Sequence, residues 1–227
     1  MKTSSHPLYC PAKQYAPSPH LFYMNPIRLS KQMDFIAETD KLKQVIRESW
    51  LVDASRKETD AEHSWHIAIM AVILGEYANQ PTINLFKVIK MLLIHDIVEV
   101  DAGDTFIYDM EHAKDKTDRE TKAANRLFAL LPSDQQQEFH KLWEEFEAQD
   151  TPEARYARTI DSMQPLLLAY LNGGQSWKIH NIIKSQIVDA KKHMETGSKI
   201  LWEYTQEILD DAVKKGILKE SAKKSTR

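Results

Sequence analysis

The chain has 227 residues, of which 42% are hydrophobic and 28% are charged, and its net charge is −3. This length and composition are typical of a globular chain with one sizeable core. The slight negative charge excludes a broad basic surface, so we expect no binding to duplex nucleic acid. The single cysteine, Cys10, cannot form an internal disulfide, and we find neither an apolar signal segment nor a membrane-spanning run. We therefore expect a cytoplasmic protein without a membrane segment.

Proline-rich and lysine-rich segments mark the two ends of the chain. Residues 1–28 contain five of the nine prolines among polar and aromatic residues, a composition typical of an extended or disordered N-terminal arm. Such an arm either hangs free or docks its aromatic side chains on the body or on a partner. Residues 29–216 are predicted to form one helical body, and residues 217–227 a basic C-terminal tail. Only six glycines and few alternating β-branched runs favour an all-α fold.

Helical periodicity runs through the body with few interruptions. The first predicted helix begins at the cap Ser30. After a polar loop, Asp53–Asp60, a second helix contains His63 and ends near Asn79. The next helices run from Leu85 to about Val98 and from Thr117 or Asp118 to Leu131, and others begin at Ser133, Pro152, Ser176 and Ser198. Ser133 and Gln136 have the spacing of a capping box. Thr151 is a cap before Pro152, and Pro165 should kink that helix or end its regular part.

The adjacent residues His95 and Asp96 follow an apolar stretch, residues 88–94, in a helix that otherwise has a core pattern. Burying both is costly unless something compensates them, and a divalent cation would compensate both at once. The alternative is a histidine bound to a backbone carbonyl beside a surface aspartate. His63 upstream and Asp161 downstream favour the cation, because they complete a mixed nitrogen and oxygen ligand set drawn from three helices. We predict these four residues as metal ligands.

Three stretches of the chain resemble the HD-domain metal-dependent phosphohydrolases, in particular the subgroup that contains the 5′-deoxyribonucleotidases. They are Arg56–His66 (RKETDAEHSWH), Leu92–Asp104 (LLIHDIVEVDAGD) and Arg158–Gln164 (RTIDSMQ). The resemblance covers roughly residues 34–213. It implies an all-α HD-domain helical bundle, one bound divalent cation and a homodimer. The donor types do not select among Mn, Co, Fe, Zn and Mg.

Glu99 and Asp104 are the predicted catalytic residues. Glu99 lies four residues after His95 and three after Asp96, so the three side chains cluster on one side of a helix. A carboxylate at that place can hold or deprotonate a metal-activated water. Asp104 follows the turn at Gly103, and the resemblance implies that residues at both positions act near the scissile phosphate. The alternatives are a solvated acid for Glu99 and a turn cap for Asp104.

Arg56 is the predicted phosphate-binding residue. A guanidinium binds phosphate through two parallel hydrogen bonds, and the resemblance supports a functional arginine in this stretch. Arg47 and Lys57 remain alternatives. The segment from Arg47 to Arg56 departs from the family pattern, so the residue that selects deoxyribose is not assigned. One of the tryptophans Trp50, Trp65 and Trp177 is a candidate for stacking on a base.

Together these features predict a metal-dependent phosphohydrolase whose substrate is a small phosphomonoester. The expected reaction is release of phosphate from (deoxy)nucleoside 5′-monophosphates by attack of a metal-activated water. The alternatives are a non-catalytic HD module that binds a nucleotide or a protein partner, a phosphodiesterase and a metal-dependent oxygenase.

Overall fold

The computed structural model describes residues 26–109 and 114–220, and helices dominate it. In chain order the elements are α1 (Pro26–Thr39), β1 (Ile46–Trp50), β2 (Lys57–Thr59), α2 (Asp60–Leu74), α3 (Leu85–Ile94), α4 (Glu99–Ala102), α5 (Lys116–Phe128), α6 (Ser133–Ala148), α7 (Pro152–Leu171), α8 (Gln175–Ile179), α9 (Lys184–Lys191), α10 (Met194–Gly197) and α11 (Lys199–Lys214). Short 3₁₀ turns cover Asp40–Gln44, Gly75–Tyr77 and His95–Val98. The predicted all-α class is confirmed. Most of the predicted arm, and the tail after residue 220, lie outside the described residues.

Helix α7 is the central helix of the body, packed against α2, α3, α6, α10 and α11. Its start is as predicted, because Thr151 Oγ1 accepts a hydrogen bond from Ala154 N at 3.2 Å and Pro152 follows the cap. The helix continues through Pro165 for six more residues, so the alternative that its regular part ends there is wrong, and the kink stays a prediction. Packing against these neighbouring helices offsets the loss of the backbone hydrogen bond that the proline removes.

The predicted polar loop Asp53–Asp60 is largely a β-hairpin. Strands β1 and β2 pair antiparallel, with Ile46 opposite Thr59 and Trp50 opposite Lys57. The sequence prediction missed this hairpin because its second strand has only three residues and no clear alternation of apolar and polar side chains. The hairpin leads directly into α2 and lies against α7, so β1 comes close to both helices.

Several helix ends differ from the predicted ones. Helix α1 begins at Pro26 rather than after Ser30, since proline is well tolerated in a first helical turn. The predicted capping box at Ser133 is wrong: Pro132 occupies the cap position, and no side chain caps α6. Helices α9 and α10 were not predicted, because both are short. Among the described residues, no helix is both long and apolar enough to cross a membrane.

Candidate metal centre

The structure brings the four predicted metal ligands together. His63 lies on α2, His95 and Asp96 in the 3₁₀ turn that follows α3, and Asp161 on α7. Asp161 Oδ1 is 3.0 Å from His63 Nε2 and 3.6 Å from His95 Nε2. Asp96 Oδ1 is 3.0 Å from His95 Nε2, and all four residues are buried. Three separate segments therefore converge on one point, as the sequence predicted.

Hydrogen bonds on the far side of each imidazole fix its orientation. His95 Nδ1 lies 3.0 Å from Leu92 O, and His63 Nδ1 lies 3.0 Å from Gln164 Oε1. Gln164 is held in turn, because its Nε2 donates to Glu58 Oε1 at 2.6 Å. Since both acceptors are oxygen atoms, each Nδ1 must be the donor, and each Nε2 is directed at the carboxylates.

The charges at this point are those of a cation site. Burial lowers the pKa of His95, but the charges of Asp96 and Asp161 outweigh it and raise that pKa to about 10. Burial alone would raise the pKa of Asp161, whereas the two histidines hold it well below its ordinary value. A proton on His95 thus balances the carboxylates, and a metal ion that binds here has to replace this proton.

The donors also fit a metal ion in their chemistry. His95 Nε2 is buried and, among the described residues, has no well-directed hydrogen bond. Such an atom costs free energy unless another partner satisfies it. Two imidazole nitrogens and two carboxylates suit Mn²⁺, Fe²⁺, Co²⁺ or Zn²⁺. The set His63, His95, Asp96 and Asp161 could therefore hold one divalent cation.

A second cluster of charges surrounds Arg47 on β1. Its Nη1 donates at 2.8 Å to Asp60 Oδ1 and at 2.8 Å to Asp96 Oδ2. Glu99 Oε2 and Asp104 Oδ1 each lie 3.9 Å from the same nitrogen. The structure thus brings both predicted catalytic residues next to the candidate metal centre, together with an arginine and a buried aspartate.

Carboxyl groups in the Arg47 cluster have raised pKa values. Burial, and then the charge of Asp96, raise the pKa of Asp60 to about 6. The same two causes raise the pKa of Glu99 well above its ordinary value. Burial also raises the pKa of Asp104, although Arg47 opposes the shift. These carboxyl groups are therefore easier to protonate than ordinary ones, in contrast to Asp96 and Asp161, whose pKa values are lowered.

A cavity of about 250 Å³ adjoins both clusters. Asp96 and Asp161 form part of its lining, as do Glu99 and Asp104. Its other lining residues include four cations and three aromatic side chains, namely Arg47, Lys116, Arg158, Lys191, Phe106, Tyr108 and Trp177. The cavity thus combines a candidate metal centre, cationic groups and an apolar surface, which is the usual composition of a small-molecule site.

The structure does not bring Arg56 to this cavity. The Arg56 side chain is 52% exposed, and its Nη2 binds Glu62 Oε1 at 2.5 Å. Lys57 is bound to Glu48 at 2.6 Å. Of the three cations that the sequence offered for phosphate binding, Arg47 alone lines the cavity. The hairpin explains this difference. Arg56 lies beside the turn, just before β2, whereas Arg47 lies near the opposite end of the hairpin, where β2 leads into α2.

The sequence prediction missed Asp60 and Gln164, although their helical spacing from a predicted metal ligand could have identified both. Asp60 lies three residues before His63, and Gln164 three residues after Asp161, so each shares a helix face with a predicted ligand. Lys191 carries no such signal, because it lies on the short helix α9, far along the chain from every ligand.

Comparisons with known proteins agree with this geometry. A family model described as HD domain matches residues 39–202. Human 5′-deoxynucleotidase HDDC2 is 29% identical over 138 residues, which is 60% of this chain and 66% of the human protein. The fission yeast 5′-deoxynucleotidase hdd1 is 27% identical over 62% of this chain and 72% of its own length. The match thus spans just under two thirds of the human relative.

Solved structures extend the comparison. A predicted metal-dependent phosphohydrolase from Magnetospirillum magnetotacticum is 49% identical, with a TM-score of 0.81, over 85% of this chain and 96% of that chain. A conserved hypothetical protein from Pyrococcus furiosus, 23% identical over 80% of this chain and 99% of that chain with a TM-score of 0.56, shares the fold. Since the family model matches well over half of the residues, the chain belongs to the HD domain family.

Proposed function

We propose that this chain is a metal-dependent phosphohydrolase that releases phosphate from (deoxy)nucleoside 5′-monophosphates. The observation that carries the proposal is the convergence of His63, His95 and Asp161, with Asp96 in contact with His95, beside a cavity that also contains cations. The human and yeast relatives are both named 5′-deoxynucleotidases, which supports the substrate class. The described part of the chain suggests no covalent nucleophile, which favours direct attack by water.

His63, His95, Asp96 and Asp161 would hold the divalent cation. When bound, such a cation supplies Lewis-acid chemistry, lowering the pKa of water and offsetting charge that develops on the phosphoryl group. Asp96 has a second task, since its Oδ2 accepts a hydrogen bond from Arg47 at 2.8 Å. The cation and the arginine would thus be held in fixed relation by one shared carboxylate.

Glu99 and Asp104 would handle the protons of the reaction. Water forms a bond to phosphorus while the bond from phosphorus to the 5′-oxygen breaks. One member of the pair accepts the proton that the water loses, and the other donates a proton to the departing 5′-oxygen. Both are buried, and burial raises both pKa values, so either can carry the proton that the departing oxygen needs more readily than an ordinary carboxyl group.

Arg47 would bind the substrate phosphate in place of Arg56. Among the described residues, the hydrogen bonds of its guanidinium to carboxylates use Nη1 alone, so Nη2 and Nε remain for phosphate oxygens. The nucleoside would lie against Trp177, Phe106 and Tyr108, which give the cavity its apolar surface. Among the three tryptophans considered from the sequence, Trp177 is thus the proposed stacking residue.

We also propose a cytoplasmic homodimer. Helix α2 exposes large apolar side chains at helical spacing, with Trp65 64% exposed, Ile69 43% and Ile73 65%. An apolar stripe of this kind is typical of a protein interface. Light scattering on the purified protein should give twice the chain mass, and Ile69→Glu should give the mass of one chain. A wild-type protein of single-chain mass would contradict the proposal.

The experiment that tests the proposed function is phosphate release from a panel of nucleotides. The panel contains deoxyribo- and ribonucleoside 5′-monophosphates, each assayed with Mn²⁺, Co²⁺, Zn²⁺ and Mg²⁺. We expect turnover that requires a divalent cation and stops on chelation. A metal-loaded protein that is stabilised by a nucleotide yet releases no phosphate would be a binding module, which would overturn the proposal.

A further inference from the structure

Lys191 is a cavity cation that forms no ion pair with an acidic side chain of the described residues. It is the last residue of α9, partly buried, and its Nζ lies 3.4 Å from Ser162 Oγ on α7. Within residues 26–109 and 114–220, no carboxylate oxygen lies within 4.0 Å of this nitrogen. The other cavity cations differ in this respect, since Lys116 pairs with Glu120 at 3.4 Å and Arg47 with two carboxylates.

Arg158, on α7, also lines the cavity and has one N–H group that forms no hydrogen bond within the described residues. Its Nη1 is 3.3 Å from Asp161 Oδ2, and its guanidinium lies over the ring of Phe146. Its Nε is buried and, in the described part of the chain, has no hydrogen-bond partner. If Asp161 is engaged with a cation, it offsets less of the charge on Arg158. The wall formed by α7 and α9 then carries two poorly compensated positive charges.

Two poorly compensated charges in a cavity raise the free energy of the folded protein unless a ligand neutralises them. Burial and the neighbouring charge of Arg158 lower the pKa of Lys191 to about 8, with Asp161 opposing them. The ammonium group is still largely protonated at neutral pH, so the charge persists in the cavity. Lys191 and Arg158 both line the cavity, so an anion bound there would lie close to both positive charges.

We propose that Lys191 and Arg158 form a second anion-binding wall, which holds non-bridging oxygens of the substrate's terminal phosphate and selects dianionic monoesters over monoanionic diesters. Arg47, on β1, approaches from a different element and would hold another oxygen. A terminal phosphate carries about two negative charges near neutral pH, whereas a diester carries one. The second wall therefore favours the monoester. This inference rests on the proposed function for its substrate, whereas the anion site itself does not require turnover.

The experiment measures binding of inorganic phosphate to the metal-loaded protein by calorimetry. Lys191→Met should weaken phosphate binding about tenfold or more, because it removes a charge-assisted hydrogen bond. Lys191→Arg should retain most of the affinity. Lys192→Met is the matched control, because the neighbouring Lys192 is exposed and does not line the cavity; it should bind phosphate as the wild type does. Metal content and circular dichroism of each variant establish that it is folded and loaded.

Dimethyl phosphate, a monoanion, tests the selectivity in the same assay. The wild type should prefer inorganic phosphate, and Lys191→Met should reduce that preference about tenfold. Unchanged phosphate affinity in Lys191→Met, an equal loss in Lys192→Met, or an unchanged preference would each overturn the inference. A wild type that binds phosphate through Lys191 but hydrolyses no nucleotide would support the anion wall while removing the nucleotidase function.

Discussion

Two buried charge clusters lie side by side and share Asp96, yet they are balanced in different ways. The first, made of His63, His95, Asp96 and Asp161, contains a buried imidazole nitrogen that no side chain in the described part of the chain satisfies. The second, made of Asp60, Glu99 and Asp104, contains its own cation in Arg47. The first cluster therefore suits an added metal ion. The second suits a substrate and the transfer of protons, because Arg47 already offsets part of its negative charge.

Removing the shared carboxylate should have the largest effect. In Asp96→Ala the first cluster loses a ligand and Arg47 loses a partner. We expect loss of bound metal and a fall in kcat/KM of about 10³-fold or more, because the cation contributes several kcal/mol to the transition state. Metal analysis and phosphate release measure both effects. Asp118→Ala, at an exposed acid on α5, is the control, and an active Asp96→Ala protein would contradict the account.

Glu99→Gln should separate the two clusters. The change removes an acid from the Arg47 cluster and leaves all four proposed ligands in place. We expect wild-type metal content with a kcat that is about 10²–10⁴-fold lower, the range for loss of a general acid or base. Turnover within a factor of two of the wild type would remove Glu99 from the mechanism.

Arg47→Met should reveal the structural task of the arginine. Asp60 is fully buried, and without Arg47 its carboxylate has no cationic partner among the described residues. Breaking one side of a buried ion pair costs about 3–5 kcal/mol, so the free energy of unfolding in urea should fall by that order. KM for the nucleotide should rise as well.

Arg56→Met is the matched control for that loss, since Arg56 is exposed and paired only at the surface. It should leave stability, metal content and kinetic constants close to those of the wild type. A large rise in KM in Arg56→Met, with none in Arg47→Met, would restore Arg56 as the phosphate-binding residue.

A smaller effect is expected behind the first cluster. Gln164→Leu removes the acceptor for His63 Nδ1 and frees Glu58 from its hydrogen bond with Gln164. Loss of a residue that orients a ligand lowers metal affinity about 10–100-fold. Competition with a metal-binding dye measures the change. An unaltered affinity would show that Gln164 does not orient His63 for binding.

The sequence predicted the first cluster better than the second for a physical reason. His95 and Asp96 interrupt an apolar helix, and polar residues in such a pattern are expensive unless they are used. The Arg47 cluster depends instead on a hairpin whose short, half-buried strands carry little periodic signal. The prediction chose Arg56, which is closer to His63 in the sequence. The pairing of β1 with β2 explains why Arg47 lines the cavity instead.

Helix ends were likewise predicted best where a local residue pattern causes them. The cap at Thr151 and the break at Gly173 were predicted because their cause is local, and both are present. Ser133 also carried a local capping signal, but the backbone begins its helix one residue earlier than that signal requires. The position of Lys191 depends on how α9 packs after two irregular turns, so it needed the three-dimensional structure.

The most direct measurement is the number of metal ions per chain in three proteins. Equilibrium dialysis against Mn²⁺ followed by metal analysis should give about one ion for the wild type. It should give one for Asp104→Asn, which changes the Arg47 cluster alone, and essentially none for Asp161→Asn. Retention of the ion in Asp161→Asn would contradict the account. Two ions in the wild type, with one lost in Asp104→Asn, would contradict it as well.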